Sequence, residues 1–434
     1  MIIVFLGGFL ILILLYHILT TVIGFGIFNG NFPQIPSLLR DGIWIFGFII
    51  STLAFWKLLP GYRKRRKHAW LRFVLLCLFS IFISWIKDKS FYDMFVGFKY
   101  GFQYISFFLM ATVLGWIAGK QHIAERIERF FRQIPIGLTI VVAFGFLWQG
   151  AKLLWPNLFL HLGYGPLDDF HFGANPPLYY LTGLGGTLRW QGIFAGPNNY
   201  GYFLIAFLPL ILHAFPLKLH ERKSWFTKTH ILTLCINILW MYAILATLSR
   251  TAIIGVLVIF ALTQIDRWKS HKKWAYGFGA LALVGLVGLS ILKGSSTLAH
   301  LHAKLGSLSY VFQHPLGYGL GSSGPAIHHN GTILPENYFI QLLIDIGRIG
   351  FALWLSTIFF CAKAYIKTTT TLIRNQIIEA GFLKAYAIGC ITLFVMGIFL
   401  HVFEDSMVNY SFFILWGFFL GYLQSKYITL SKRV

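Results

Sequence analysis

Long apolar stretches, separated by short polar ones, run along most of the chain. Each spans about 17–25 residues, the length that an α-helix needs to cross the hydrocarbon layer of a membrane. A helix also satisfies its own backbone hydrogen bonds, as lipid requires. The pattern predicts an all-α polytopic membrane protein with about 12 transmembrane helices, near residues 2–27, 39–59, 70–86, 95–118, 135–155, 198–216, 230–247, 251–265, 275–293, 337–362, 382–402 and 410–425.

Composition and charge agree with this pattern. Of the 434 residues, 57% are hydrophobic and 12% charged, which is too apolar for a soluble domain. The net charge of +22 would suggest a nucleic-acid partner in a soluble protein. Here 26 of the 36 lysines and arginines fall in alternate loops, as the positive-inside rule predicts for the loops on the cytoplasmic side. The charge therefore indicates an inside N-terminus and no nucleic-acid binding.

Two long loops on the predicted outer face divide the chain. The first span has no basic residue before Arg40, so it is expected to be a retained helix rather than a signal peptide. We find no internal repeat of the kind common in transporters. The predicted regions are N-terminal helices 1–155, a first outer loop 156–197, central helices 198–293, a second outer loop 294–336 and C-terminal helices 337–434.

The second outer loop has two parts. Its start, "STLAHLHAKLGSLSYVFQ", could form an amphipathic helix lying on the membrane. Its end, "HPLGYGLGSSGPAIHHNGTILPEN", is rich in turn-forming residues. The glycines in "GYGLGSSG" do not precede the Lys-Ser/Thr of a nucleotide-binding loop, so we interpret them as tight turns.

The stretch "RWQGIFAGPNNYGYF" places Arg189 shortly before a predicted helix start at Pro197 and Asn198. One interpretation is an arginine that reaches lipid headgroups from the membrane surface. The other is an anion-binding arginine beside the free N–H groups of a helix start.

A second arginine lies in "ATLSRTA", where Arg250 falls between two closely connected spans. An arginine held at the membrane surface needs a partner. A structural ion pair, a lipid phosphate and a ligand phosphate all satisfy that need.

The stretch "TILPENYFIQLLIDIGRIG" carries three charged residues at and inside an apolar span. Asp345 and Arg348 are three residues apart, so they are expected to pair on one helix face. Glu336 has no basic neighbour in the sequence. It is either an acid favoured by the start of the following helix or a carboxylate whose raised pKa suits a general base.

Metal sites have weak support in the sequence. Asp168-Asp169 with His171 could bind a divalent cation, although paired acids in a loop are usually just solvated. Zinc would need a recognised ligand spacing, which the histidines of the second loop do not show. These are His300, His302, His314, His328 and His329.

Together, the stretches resemble the O-antigen ligase and O-antigen polymerase superfamily of bacterial envelope glycosyltransferases. The similar features are Arg189 before Gly-Pro-Asn, then Ser249-Arg250 between two close helices, then "HPLGYGLGS" and "ENYFIQLLIDIGRIG" in that order. The resemblance covers roughly residues 185–425. Ligases usually carry His where this chain has Glu336, and an acid there is more like some polymerases.

The resemblance implies a GT-C-like fold and a metal-independent, inverting transfer, with no cofactor, on the outer face of the cytoplasmic membrane. The donor would be a glycan on undecaprenyl diphosphate, and the acceptor a hydroxyl of a glycan, lipid or protein. Arg189 and Arg250 would clamp the diphosphate and Glu336 would be the base, with His329 the alternative base. Substrate contacts are expected from Trp190, Asn198, Ser249, His329, Asn337 and Tyr338.

Two other classes of protein remain open at this stage. A flippase for lipid-linked oligosaccharides, or another transporter, would need charged groups deep in a central cavity, whereas the ionisable residues here lie near the predicted outer face. A multi-pass glycosyltransferase that uses a metal-bound acid pair would rely on Asp168 and Asp169.

Overall fold

The computed structural model describes residues 2–27, 35–58, 60–120, 124–165, 176–181, 186–216, 227–268, 294–324, 333–375, 377 and 379–430. Helices form almost all of this part of the chain, and one two-stranded antiparallel sheet accompanies them. The strands are β1 (Tyr180–Leu181) and β2 (Leu188–Arg189). The helices are α1 (Ile2–Leu19), α2 (Ile35–Leu53), α3 (Pro60–Ile86), α4 (Phe91–Ala118), α5 (Ala124–Leu154), α6 (Pro156–His161), α7 (Pro197–Ala214), α8 (Lys228–Ala246), α9 (Arg250–Trp268), α10 (Gly294–Gln313), α11 (Tyr338–Arg374), α12 (Glu379–Gly397) and α13 (Ser406–Leu430).

Within the described residues, seven helices are long and apolar enough to cross a membrane, judged by length and composition. They are Arg66–Ile86, Phe91–Ala118, Glu125–Leu154, Lys228–Ala246, Tyr338–Arg374, Glu379–Gly397 and Ser406–Tyr427, and two shorter apolar helices are Leu14–Ile27 and Arg250–Thr263. These helices agree with the prediction of an all-α polytopic membrane protein. The predicted span 275–293 lies outside the described residues, so 12 spans and a GT-C-like fold stay predictions.

Helices α4 and α13 form the centre of the bundle and are buried along most of their length. Their backbones touch because glycines face the partner helix. A Cβ added at Gly115 would lie 2.0 Å from the carbonyl oxygen of Phe418, and one at Gly421 would lie 2.1 Å from that of Thr112. Small residues allow this close approach between membrane helices. Around this pair, α11 packs on α3, and α12 packs on α7 and α9.

The glycine-rich run after α10 folds against a kink in α11. Gly347 has φ 65° and ψ −173°, which interrupts the helical hydrogen bonds. Loop groups replace them: the Tyr318 N–H donates to Ile344 O (2.8 Å), and the Arg348 N–H donates to Pro315 O (2.9 Å). Gly317, Gly319, Gly321 and Gly324 all have positive φ, so the tight turns that we predicted for this run are confirmed.

The predicted pair between Asp345 and Arg348 is wrong. The Asp345 carboxylate accepts hydrogen bonds from the Ser323 hydroxyl (2.7 Å) and the Gly321 N–H (3.3 Å) of the same loop. Arg348 is exposed, and its guanidinium lies 5.7 Å from the ring centre of Phe312. The kink at Gly347 turns the two side chains apart, so the spacing of a regular helix does not apply.

Candidate functional site

The hairpin β1–β2 holds Arg189 beside the end of α8. Tyr180 is opposite Arg189 in the hairpin, and the Trp190 N–H donates to Ala246 O (2.9 Å). The Arg189 guanidinium then donates to Thr247 O (3.0 Å) and to the Asn198 side-chain oxygen (2.9 Å). Arg189 therefore joins the end of α8 to the start of α7.

A three-residue linker, 247–249, separates α8 from Arg250, as the sequence predicted. Leu248 has φ 49°, a left-handed conformation that costs about 1–2 kcal/mol in a residue with a Cβ. Ser249 is buried, and its N–H donates to the Thr247 hydroxyl oxygen (3.2 Å). Arg250 follows, half-buried, at the first position of α9. The two predicted arginines thus flank one short linker.

The start of α7 lies next to Asp405, an acid that was not predicted as a site residue. Helix α7 begins at Pro197 without a side-chain cap, so the helix start favours negative charge nearby. The Asn199 side-chain amide donates to the Asp405 carboxylate. Asp405 also accepts the Val408 N–H (2.7 Å) and so caps the start of α13.

The connection between α12 and α13, which we call the 398–405 segment, also reaches the start of α11. His401 Nδ1 lies 2.9 Å from the Gln341 side-chain oxygen and 3.1 Å from the Glu404 carboxylate. The Asn337 side-chain amide donates to Ile398 O (2.8 Å). The starts of α7, α11 and α13 are therefore held together at one end of the bundle by this segment.

Glu336 lies two residues before the first residue of α11 and is half-buried. Its φ of 49° is again left-handed. The next residue, Asn337, caps the helix by accepting the N–H groups of Phe339 (2.9 Å) and Ile340 (3.0 Å). Strained backbone often marks functional positions. Among the described residues, three non-glycine residues have positive φ, and two of them are at the predicted site: Leu248 precedes Ser249, and Glu336 is the predicted base.

The acids of the 398–405 segment lie in surroundings that disfavour their charge. Burial raises the pKa of Asp405 to about 6, against the opposing effect of its hydrogen bonds from Val408 and Asn199. Burial also raises the pKa of Glu404, and the neighbouring His401 opposes the shift. Both acids and Arg189 interact electrostatically with Tyr202 of α7, so charges of both signs meet there.

A further group of charges adjoins Asp405. Arg40 pairs with Asp41 (2.9 Å) and donates to the Ser406 hydroxyl (3.0 Å). The Lys99 ammonium lies 2.6 Å from the other Asp41 oxygen. Two cations thus share one carboxylate, and one of them interacts electrostatically with Asp405.

Two of the predicted substrate contacts have very different surroundings. Trp190 is half-buried, and its ring centre lies 4.8 Å from that of Phe146. Tyr338 is fully buried, and its hydroxyl donates to Gly101 O (2.6 Å) while its ring packs 4.7 Å from Phe403. Contrary to the prediction, the ring of Tyr338 has no face open to a sugar in this structure, because the helix start is anchored in the core.

Several weaker predictions lie outside the described residues, namely those for Asp168, Asp169, His171, His328 and His329. Where the structure describes the chain, no three His, Cys, Asp or Glu side chains gather as a metal site would require.

The side chains that connect the motifs were not among the residues predicted from the sequence. His401, Glu404 and Asp405 lie in "LHVFEDSMV", between two apolar spans. An acid pair with a histidine at the edge of a span is a detectable signal, because such groups are costly in lipid.

Comparison with known proteins adds an independent observation. No family model matches the chain. The chain is 25% identical over 228 residues to an O-antigen polymerase of Salmonella muenchen, which covers 48% of this chain and 53% of that protein. The chain thus spans about half the length of the curated relative that it matches. The resemblance to the O-antigen polymerase and ligase superfamily is confirmed. At this identity the similarity extends no further than the superfamily.

Proposed function

We propose that this protein is a membrane glycosyltransferase that moves a glycan from undecaprenyl diphosphate to an acceptor hydroxyl on the outer face of the cytoplasmic membrane. The observation that carries the proposal is the hydrogen-bonded cluster at one end of the bundle. Arg189 joins the 247–249 linker to α7 there, and the 398–405 segment joins α7 to α11. The similarity to an O-antigen polymerase supports the same conclusion.

The diphosphate is the group that the arginines suit. A guanidinium stays protonated and offers paired N–H donors to phosphate oxygens. Arg189 is already oriented by Thr247 and Asn198, so it needs little ordering when the substrate binds. Arg250 and the uncapped start of α7 add positive potential beside it. Together they would stabilise the negative charge of the departing diphosphate.

The bond changes follow from that arrangement. The acceptor oxygen attacks the anomeric carbon from the face opposite the diphosphate, a C–O bond to the acceptor forms, and the C–O bond to the diphosphate breaks. The bonding electrons leave with the diphosphate, and inversion results. We assign the acceptor proton to the Glu336 carboxylate, with His329 as the alternative base. No metal ion or cofactor takes part in this proposal.

The remaining polar contacts would hold the sugars. Trp190 offers a half-buried aromatic ring beside Arg189. Asn198 accepts a hydrogen bond from that arginine, Ser249 belongs to the linker whose Thr247 carbonyl the arginine also contacts, and Asn337 follows the proposed base. Among superfamily activities we favour polymerisation, because the position before Asn337 is acidic and the relative is an O-antigen polymerase.

The test is a transfer assay with purified protein and a glycan on undecaprenyl diphosphate. We expect products that lengthen by whole repeats when the lipid-linked glycan is supplied alone. A single addition that needs a separate lipid or protein acceptor would indicate ligation instead. Movement of intact substrate across vesicles without any new glycosidic bond would contradict the proposal and favour a flippase. Loss of transfer in excess chelator would show that a metal is needed.

A further inference from the structure

A second cluster of buried polar groups surrounds Lys152, in the last turn of α5. Lys152 is 0% exposed, and its ammonium has no hydrogen-bond partner among the described residues. It lies 4.3 Å from the ring centre of Tyr164, which follows α6. The Trp148 Nε1–H donates a hydrogen bond to the Tyr164 hydroxyl oxygen (3.2 Å). The cation therefore has an aromatic wall on one side and no carboxylate partner in the described structure.

Two more unpartnered groups accompany the lysine. Gln149 lies three residues before Lys152, on the same face of α5. It is 0% exposed, and neither atom of its side-chain amide has a partner in the described part of the chain. His17 of α1, which packs on α5, interacts electrostatically with Lys152, and its Nε2 is likewise enclosed without a partner. Buried polar groups are nearly always paired, so three together indicate an absent ligand.

The chemistry of the three groups selects that ligand. An ammonium, an amide N–H₂ and an imidazole can all donate hydrogen bonds, which suits an oxyanion. A buried charge without a counterion costs several kcal/mol, and a bound anion would remove that cost. The protein surface next to the cluster is apolar: helix α6, whose Phe159 packs against Trp148 and Tyr164, exposes Leu158 (53%) and Leu160 (41%). An anion that reaches this place through apolar surroundings is one attached to a lipid.

We propose that Lys152, Gln149 and His17 form a binding site for the phosphate or diphosphate headgroup of a membrane lipid. The site is distinct from Arg189 but is connected to the hairpin that carries it: the hydroxyl of Tyr179, the residue before β1, donates to Lys152 O (2.6 Å). It does not depend on the transfer reaction, and binding alone tests it.

The experiment measures thermal unfolding of delipidated protein in detergent. The probes are undecaprenyl diphosphate, phosphatidylglycerol and inorganic pyrophosphate. The variants are Lys152→Met and Gln149→Leu, with Lys367→Met, an exposed lysine of α11, as the matched control. We expect each lipid that binds to raise the unfolding midpoint of the wild type and of the control. We expect Lys152→Met to weaken the apparent affinity at least tenfold, and Gln149→Leu to weaken it less.

The unliganded protein gives a second readout. Since Lys152→Met removes a buried, unpaired charge, its midpoint without lipid should equal or exceed that of the wild type. A lower midpoint together with an unchanged lipid response would show a structural lysine and overturn the proposal. Should Lys152→Met fail to fold, an unchanged response of Gln149→Leu would overturn it.

The three probes distinguish the source of the anion. A response to undecaprenyl diphosphate alone would make this a second site for the substrate lipid. Equal responses to both lipids would make it a general phospholipid site, which also supports the proposal. A response to pyrophosphate as strong as that to the lipids would overturn the assignment to a lipid. Transfer that is normal in Lys152→Met but lost in Arg189→Lys would leave the proposed function standing whatever the binding result.

Discussion

Two buried cations near the same end of the bundle have opposite surroundings. Arg40 pairs with Asp41, donates to Ser406 and packs between the rings of Tyr16 (4.3 Å) and Tyr410 (5.2 Å). Lys152, equally enclosed, contacts the ring of Tyr164 and has no hydrogen-bond partner in the described structure. Arg40 and Lys152 are therefore buried to a similar degree, but among the described residues only Arg40 has hydrogen-bond partners.

The difference separates charges that hold the protein together from charges that await a ligand. A charge with its partners inside the fold fixes the helices that carry it, and removing it leaves a buried counterion behind. A charge without partners destabilises the empty protein and contributes only when an anion arrives. Arg189 lies between these cases, since two acceptors orient it while it stays half-buried.

The largest effect on stability is expected from Arg40→Met. This change leaves Asp41 buried with Lys99 as its remaining partner and should cost about 3–5 kcal/mol. The measurement is the thermal unfolding midpoint of purified protein in detergent, compared with that of Lys152→Met. Equal losses in the two variants would erase the distinction between the clusters.

The largest effect on activity is expected from Arg189→Lys and Arg250→Lys. Lysine keeps the charge but loses the paired N–H donors, so transfer should fall about a thousandfold, the upper range for removing one anion-stabilising group. Arg348→Lys is the matched control, because Arg348 is exposed on α11 and outside the cluster. The assay is transfer from undecaprenyl diphosphate with correctly inserted protein. Full transfer by both site variants would contradict the diphosphate clamp.

A smaller effect tests Glu336 as the base against Glu404, a buried acid of the 398–405 segment. Glu336→Gln should lower the turnover number about a hundredfold and leave donor binding intact, as loss of a general base does. Glu404→Gln keeps a polar group beside His401 and is expected to lower turnover less. Steady-state kinetics and donor binding on the same preparations make the comparison. If only the Glu404 variant loses turnover, the base belongs to the 398–405 segment.

Sequence patterns identified the helices well because span length and apolar periodicity are local properties. The prediction of a close pair around Ser249-Arg250 held, with α8 ending at Ala246 and α9 starting at Arg250. The turns of the glycine-rich run were also predictable, because the preference of glycine for positive φ is a local property too.

Long-range contacts were not accessible in this way. Helix spacing predicts an ion pair between Asp345 and Arg348. The observed partners of Asp345, Ser323 and Gly321, come instead from a loop that precedes the helix. Tyr338 has an aromatic ring of the kind that stacks on sugars. Only its contact with α4 in the folded structure shows that it belongs to the core. His401 and Asp405 connect helices far apart in sequence, a property that no local pattern encodes.

The smallest predicted effect concerns the pH dependence of stability at Asp405. Burial raises its pKa from the usual 3.8 to about 6, so between these values the folded state binds more protons than the unfolded state. The contribution of Asp405 to the free energy of unfolding is therefore fully present below about pH 4. It is lost as the pH rises through 6, and the loss is about 2–3 kcal/mol at most. Asn at this position keeps an acceptor for Asn199 and Val408 but cannot ionise.

The unfolding midpoint of Asp405→Asn relative to the wild type should accordingly increase from pH 4 to pH 7 and then remain constant. Asp88→Asn, at an exposed acid of the α3–α4 connection, is the control and should show no such trend. A difference that stays flat across this range would mean that Asp405 is ionised throughout. Its bond to Asn199 would then be an ordinary charged contact, and the acidic cluster would hold the helix starts together without any proton exchange near neutral pH.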